Sequence, residues 1–202
     1  MFERNIDRNR LSLTEKVFSL DYIMILTVLI IGVISCFAMY VTDRGNFGYH
    51  TTSHIIRFSF FFFFFIFIGF IRVNFWHKYA YFIYLFFLIL LFQVEFFGLT
   101  ASGSKRWINL YFINLQPSEL MKIGIILFLA KYYHRVSAEN INRFNYMFLP
   151  LLVTVIPIFL VINQPDLGTS VLIAATACGV IWLAGVRIKY FTYMFIIDVL
   201  GR

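Results

Sequence analysis

Long apolar runs alternate with short polar segments along the whole chain. The runs occupy about 22–41, 55–71, 79–98, 117–133, 147–162 and 169–185, and a shorter one covers about 190–200. A helix rises about 1.5 Å per residue and a bilayer core is about 30 Å thick, so a span needs roughly 17–25 apolar residues. The first six runs, of 16–20 residues, come to about that length, and the last, of 11, does not. The pattern therefore predicts an all-α polytopic integral membrane protein with six transmembrane helices plus a truncated seventh, forming a single membrane domain over residues 1–202. A run that stops inside a span leads us to expect that the chain is part of something larger, or a truncated product. The first run follows a polar segment with Arg4, Arg8, Arg10 and Lys16. It is long enough to span and lacks a clear small-residue cleavage site, so we read it as a retained anchor rather than a signal peptide.

Composition agrees with this reading. The chain is 61% hydrophobic, 21% aromatic and 13% charged, whereas soluble domains carry about 45–50% apolar and about 25% charged residues. A soluble enzyme, a disordered chain and a free-standing nucleic-acid-binding domain are excluded on that ground. The formal charge of +7 sits between the runs, the placement expected of loops that orient a membrane protein. With the N-terminus cytoplasmic, the inner segments hold Arg4, Arg8, Arg10, Lys16, Arg72, Lys78, Lys131, Arg135, Arg143, Arg187 and Lys189. The outer ones hold only Arg44, Arg57, Lys105 and Arg106, while Lys122 lies in a span and Arg202 is the last residue. That bias puts loops 42–54, 99–116 and 163–168 outside. Cys36 and Cys178 fall within apolar runs and read as small buried hydrophobes. His50, His54, His77 and His134 read as solvated surface, and the run from Lys131 to Arg143 as a solvated, orienting loop. The block Phe60 to Phe65 is expected to face lipid. No His/Cys cluster has metal-ligand spacing.

Ionisable groups at membrane depth are costly, so each is a functional candidate. Two outer segments stand out. The first reads Lys105-Arg106-Trp107, then Gln116-Pro117-Ser118-Glu119-Leu120-Met121-Lys122. Pro117 suits a first helical turn, Glu119 falls in that turn, and Lys122 shares its face. The second reads Asn163-Gln164-Pro165-Asp166-Leu167-Gly168-Thr169, again with an acid expected in the first turn of a span. Two helix starts with Lys105, Arg106 and Lys122 would suit a phosphate-bearing ligand. The bland alternative, two spans with good N-terminal chemistry, stays open on these residues alone. Trp107 fits either a sugar platform or an interfacial belt, and Glu95 a solvated span end.

Gly-Ser-Lys-Arg-Trp-Ile-Asn-Leu at 103–110, Gln-Pro-Ser-Glu-Leu-Met-Lys at 116–122 and Asn-Gln-Pro-Asp-Leu-Gly-Thr at 163–169 resemble the SEDS family (shape, elongation, division and sporulation). Leu20-Asp21-Tyr22 and Gln-Pro-Asp-Leu-Gly-Thr resemble its rod-shape branch, typified by RodA, more than its division branch, typified by FtsW. The resemblance runs from about residue 10 to about residue 190. It implies a peptidoglycan glycosyltransferase of the cell-elongation machinery, or the N-terminal half of one. Such a protein sits in the bacterial inner (cytoplasmic) membrane and polymerises lipid II, an undecaprenyl-pyrophosphate-linked substrate. Its implied partners are a class B penicillin-binding protein and other elongation-complex membrane proteins, with no nucleic acid. No catalytic residue is expected in this chain, because the family's proposed catalytic Asp belongs to an outer loop that would lie beyond Arg202. Lys105, Arg106, Trp107, Gln116, Glu119, Lys122, Gln164, Asp166 and Thr169 remain the substrate-binding or cavity candidates. No cofactor is certain, a divalent cation being the one candidate. The alternatives are a lipid II flippase or an inert remnant.

Overall fold

The computed structural model describes residues 17–18, 20–101, 104–109, 114–137 and 139–187. The expected truncated seventh span, 190–200, lies outside the described residues. So does Arg202, the point beyond which the catalytic Asp is expected. Six helices lie within the described residues: α1 Tyr22–Thr42, α2 Tyr49–Gly69, α3 Val73–Phe97, α4 Pro117–Arg135, α5 Phe144–Asn163 and α6 Leu167–Leu183. Each of the first six apolar runs lies largely within one of them. Four helices, α1, α2, α3 and α5, are long and apolar enough to cross a membrane. α6 is apolar but shorter, and α4 carries Glu119, Lys122, Lys131 and Arg135. The multi-pass membrane class stands on this basis.

One expectation is corrected. The fold is not purely α, because the segment between α3 and α4 forms a three-stranded antiparallel sheet: β1 Leu99–Ala101, β2 Ser104–Asn109 and β3 Asn114–Leu115. Ala101 pairs with Ser104 and Ile108 with Leu115. Strands this short carry no readable period of two. Ser102-Gly103, a turn dipeptide, is the one available signal.

The chain divides into two compact units, 1–75 and 76–202. In the first, α1 and α2 form a hairpin. Asp21 caps α1, accepting from the Met24 amide at 3.0 Å. The turn passes through left-handed Arg44 and Gly45. α2 then begins at Tyr49, ahead of the expected 55, because its first turn is capped from across the turn. The Asp43 carboxylate accepts the Thr51 amide at 2.7 Å and the Thr51 hydroxyl at 2.6 Å. Gly48 must lack a side chain there, since a Cβ would lie 2.8 Å from the Asp43 carboxyl carbon. Those hydrogen bonds favour the ionised form, holding the Asp43 carboxyl below the usual aspartate range. Within this hairpin Ser35 Oγ also meets His54 Nε2.

In the second unit α4 packs on α5 and α6. Leu91, Met121, Ile125, Leu129, Val161 and Ile173 are fully buried at its centre. Gly124 lets α3 approach closely, because a Cβ there would stand 3.0 Å from Phe87 Cδ2 and 3.4 Å from the Tyr84 Cα. α5 contains two interior prolines, Pro150 and Pro157. A proline within a helix has no N–H for the carbonyl four residues earlier, which orphans the carbonyls of Tyr146 and Val153. Both are taken up by tyrosines from neighbouring helices: Tyr132 donates its hydroxyl to the Tyr146 carbonyl at 2.9 Å, and Tyr84 to that of Val153 at 2.8 Å.

Candidate functional site

The two Gln-Pro motifs, distant in sequence, meet at one end of α4 and α6. Gln116 precedes α4 as its N-cap residue, with Pro117 in the first turn. Asp166 is the N-cap of α6, one step outside the first turn where the sequence pattern puts it. The difference matters, because a cap residue turns its side chain back onto its own helix. Asp166 accepts the Thr169 amide at 3.1 Å and the Thr169 hydroxyl at 2.8 Å. The Gln116 side-chain amide reaches the same carboxylate at 3.3 Å.

Arg106 on β2 closes the arrangement. Its Nη2 donates to the Pro165 carbonyl at 2.6 Å and its Nε to the Gln164 carbonyl at 3.4 Å. Its Nη1 lies 3.7 Å from the Asp166 carboxylate. The guanidinium thus satisfies carbonyls that the end of α5 leaves open while neutralising the cap of α6. Gln164 is buried and donates its side-chain amide to the Leu91 carbonyl at 3.2 Å, tying the α5–α6 turn to α3. Asp166 is itself only 8% exposed. Its carboxylate accepts hydrogen bonds from the Thr169 amide and hydroxyl and the Gln116 side-chain amide, and it is ion-paired with Arg106.

One turn into α4, Lys122 Nζ lies 2.8 Å from the Glu119 carboxylate. The lysine side chain is 21% exposed and the glutamate 54%, so the pair sits at a wet boundary with its anion outward. Arg106, Gln116, Gln164, Asp166 and Thr169 therefore come together, and Glu119 and Lys122 share the same helix end. Trp107 is half-buried on β2. Lys105 pairs with Thr100 in the sheet, but its side chain lies outside the described residues. Among the described residues no three His, Cys, Asp or Glu side chains assemble into a metal site. With Asp166 already engaged, the residues present do not fit a divalent cation, and the positive charge at this end comes from Arg106 and Lys122.

Several peripheral expectations change. Half-buried His77 stacks edge-on against exposed His134, with ring centroids 5.2 Å apart, and half-buried His54 is engaged by Ser35, so His77 and His54 are not solvated surface. Cys178 is exposed rather than buried, and Cys36 is half-buried. Arg57 lies within α2, where its Nε donates to the Ser53 carbonyl at 3.0 Å. Lys131 to Arg135 is not loop but the last turn of α4, and Lys131 is buried. Sequence reading missed the tyrosine–carbonyl pairs because they depend on which helices become neighbours.

Residues 18–201 match the FtsW/RodA/SpoVE family, described as cell cycle protein. A probable peptidoglycan glycosyltransferase FtsW of Buchnera aphidicola subsp. Acyrthosiphon pisum is 34% identical over 157 residues, covering 75% of this chain and 39% of that one. Stage V sporulation protein E of Bacillus subtilis is 39% identical over 105 residues, covering 52% and 28%. The chain thus spans less than half the length of these curated relatives. Among solved structures, a point mutant of the rod shape determining protein RodA of Thermus thermophilus superposes with a TM-score of 0.55 at 29% identity, covering 65% of this chain and 43% of that one. A peptidoglycan synthase complex, solved for how it coordinates polymerization and crosslinking, superposes with a TM-score of 0.79 over 91% of this chain and 53% of its own. At 22% identity that likeness concerns the fold alone.

Proposed function

The chain belongs to the FtsW/RodA/SpoVE family, and from that premise we propose that it is a peptidoglycan glycosyltransferase, or the N-terminal half of one, in the bacterial cytoplasmic membrane. Its substrate on this reading is lipid II. The reaction joins an acceptor sugar hydroxyl to the anomeric carbon of a donor whose pyrophosphate leaves. It needs a base at the hydroxyl and positive charge at the leaving group. Lys122 and Arg106, with Lys105 next to Arg106 in sequence, supply the charge, and Glu119 holds Lys122 at the boundary. Asp166, Gln116, Gln164 and Thr169 set the geometry of the two helix starts, and Trp107 follows Arg106 on β2. Asp166 acts as an organiser and not as the base, and the base is the acid that family resemblance expects further along the family's fold, past the position of Arg202. The observation that carries this reading is the convergence of Arg106 and Gln116 on Asp166, one helical turn from the Glu119–Lys122 pair.

We assign the role to cell elongation, with a class B penicillin-binding protein and other elongation-complex membrane proteins as partners. Leu20-Asp21-Tyr22, whose aspartate caps α1, and Gln-Pro-Asp-Leu-Gly-Thr at 164–169 support that branch. The fold shared with a peptidoglycan synthase complex suits a crosslinking partner. The test is a chimera joining this chain to the C-terminal portion of a RodA relative, expressed in cells depleted of RodA or of FtsW. Restored rod shape, abolished by Lys122→Ala, is the expected result. Rescue of division alone would move the protein to the division branch. Insertion without rescue of either would remove the glycosyltransferase reading.

A further inference from the structure

α4 has a second charged end. It is 19 residues long, so its two ends lie about 28 Å apart. At the end away from Asp166 it runs beside the start of α3. There Lys131 is only 7% exposed. Its ammonium donates to the Lys78 carbonyl at 2.7 Å and stands 4.5 Å from the centre of the Tyr81 ring. The Arg135 guanidinium lies 5.9 Å from that ring, and the Lys78 ammonium 5.4 Å from the Tyr79 ring. His77 and His134 stack alongside, and His77 Nε2 is buried with no hydrogen-bond partner among the described residues. Among the described residues two ion pairs occur, Arg106–Asp166 and Lys122–Glu119, and neither touches this cluster. A carbonyl dipole and an aromatic face soften the burial of an ammonium, but they bring no opposite charge.

We propose that Lys78, Lys131, His134 and Arg135 form a binding site for the phosphate of an anionic phospholipid headgroup. Lys78, His134 and Arg135 are exposed around buried Lys131, so a phosphate can reach them from the membrane surface while the buried charge adds to its attraction. Along α3, Tyr79, Phe82, Phe86 and Ile89 are all exposed. They recur at spacings of three and four residues, the stripe of one helix face, which gives an acyl chain a surface to lie on. Tyrosines flank the cations as they do at a membrane interface. The Lys and Arg bias makes this the cytoplasmic end, facing the leaflet in which anionic lipids attract basic segments.

Native mass spectrometry of the 202-residue chain tests this, with phosphatidylglycerol and phosphatidylcholine of identical acyl chains added in parallel. Phosphatidylglycerol should be retained in preference. Lys78→Gln and Arg135→Gln should each reduce its retention about fivefold, with unchanged helix content by circular dichroism, whereas Arg57→Gln should leave it as it was. Equal retention of the two lipids, an effect that needs no variant to fold, would overturn the proposal. So would an equal loss in Arg57→Gln, or displacement of the lipid by millimolar inorganic phosphate, which would make the site one for the free ion.

Discussion

Tyr84 donates its hydroxyl to the carbonyl of Val153 at 2.8 Å, the carbonyl that Pro157 leaves without an intrahelical partner. A helix-breaking residue in α5 thereby becomes an attachment point for α3. Tyr84→Phe should destabilise the protein by about 0.6–2 kcal/mol, the range for a buried hydrogen bond in a membrane protein or one whose acceptor is left unpaired. Pro157→Ala restores the missing N–H, so Tyr84→Phe in that background should cost much less. Denaturant titration of the four proteins in detergent measures the coupling, and simple additivity would show that the two residues act independently.

Asp166 separates two roles that a charge-conserving reading would merge. Asp166→Asn keeps an oxygen for the Thr169 amide but loses the charge facing Arg106, whereas Asp166→Ala loses both. The cap alone is worth about 1 kcal/mol. We expect Asp166→Ala to lower the unfolding midpoint clearly and Asp166→Asn to lower it less, with Arg106→Gln resembling Asp166→Asn. A chimera carrying Asp166→Asn that retains part of its rescuing activity would fit an organising carboxylate, while complete loss with unchanged stability would point to a base.

Glu119 and Lys122 invite the opposite comparison. Their contact is short but the glutamate is half in water, and exposed pairs contribute about 0–1 kcal/mol. Glu119→Ala should therefore change stability by less than about 1 kcal/mol, while Lys122→Ala should abolish the chimera's rescue of rod shape. If both variants rescue rod shape as well as the parent chimera, the pair is only a helix cap.

Asp43 supplies a pH dependence with a definite sign. Its carboxyl titrates below the ordinary range, chiefly because the Thr51 hydroxyl and then the Thr51 amide bond the ionised form. Its contribution is complete above the ordinary aspartate value and is lost as pH falls through the lowered one, that is, below about pH 4. Amide exchange at Thr51, corrected for intrinsic rates, should speed up in that window. Asp43→Ala should show the fast rate at every pH, and a pH-independent Thr51 in the parent protein would refute the cap.

Orientation is checked by reporters. A fusion after Asn46 should read exterior and one after Glu139 cytoplasmic, on the strength of the Lys and Arg distribution. Exchanged signals would reverse every statement about which end faces which compartment.

Much of this arrangement was legible in the residues, for reasons that differ by element. Apolar length alone located the helices, because a span has to present a continuous lipid-compatible surface. It misjudged the start of α2, where Thr51, Thr52, Ser53 and His54 interrupt the hydrophobic pattern although Asp43 makes them helical. The Gln-Pro motifs marked two helix starts that the fold brings together, but they could not reveal that Asp166 caps its own helix or that Arg106 reaches across to it. Lys131 looked like an ordinary loop cation because its partners, the Lys78 carbonyl and the Tyr81 ring, belong to another helix. Pairings of that kind depend on neighbours that no local pattern specifies.

Arg106 also imposes an order of events during synthesis. The carbonyl it binds most closely belongs to Pro165, which lies 59 residues later in the chain. At about 5–20 residues per second, translation leaves an interval of roughly 3–12 s between the two. Through that interval the guanidinium has neither its carbonyls nor its carboxylate. A ribosomal pause or a shortened α5 would alter how long that exposed cation is open to capture by the insertion machinery or by a quality-control protease.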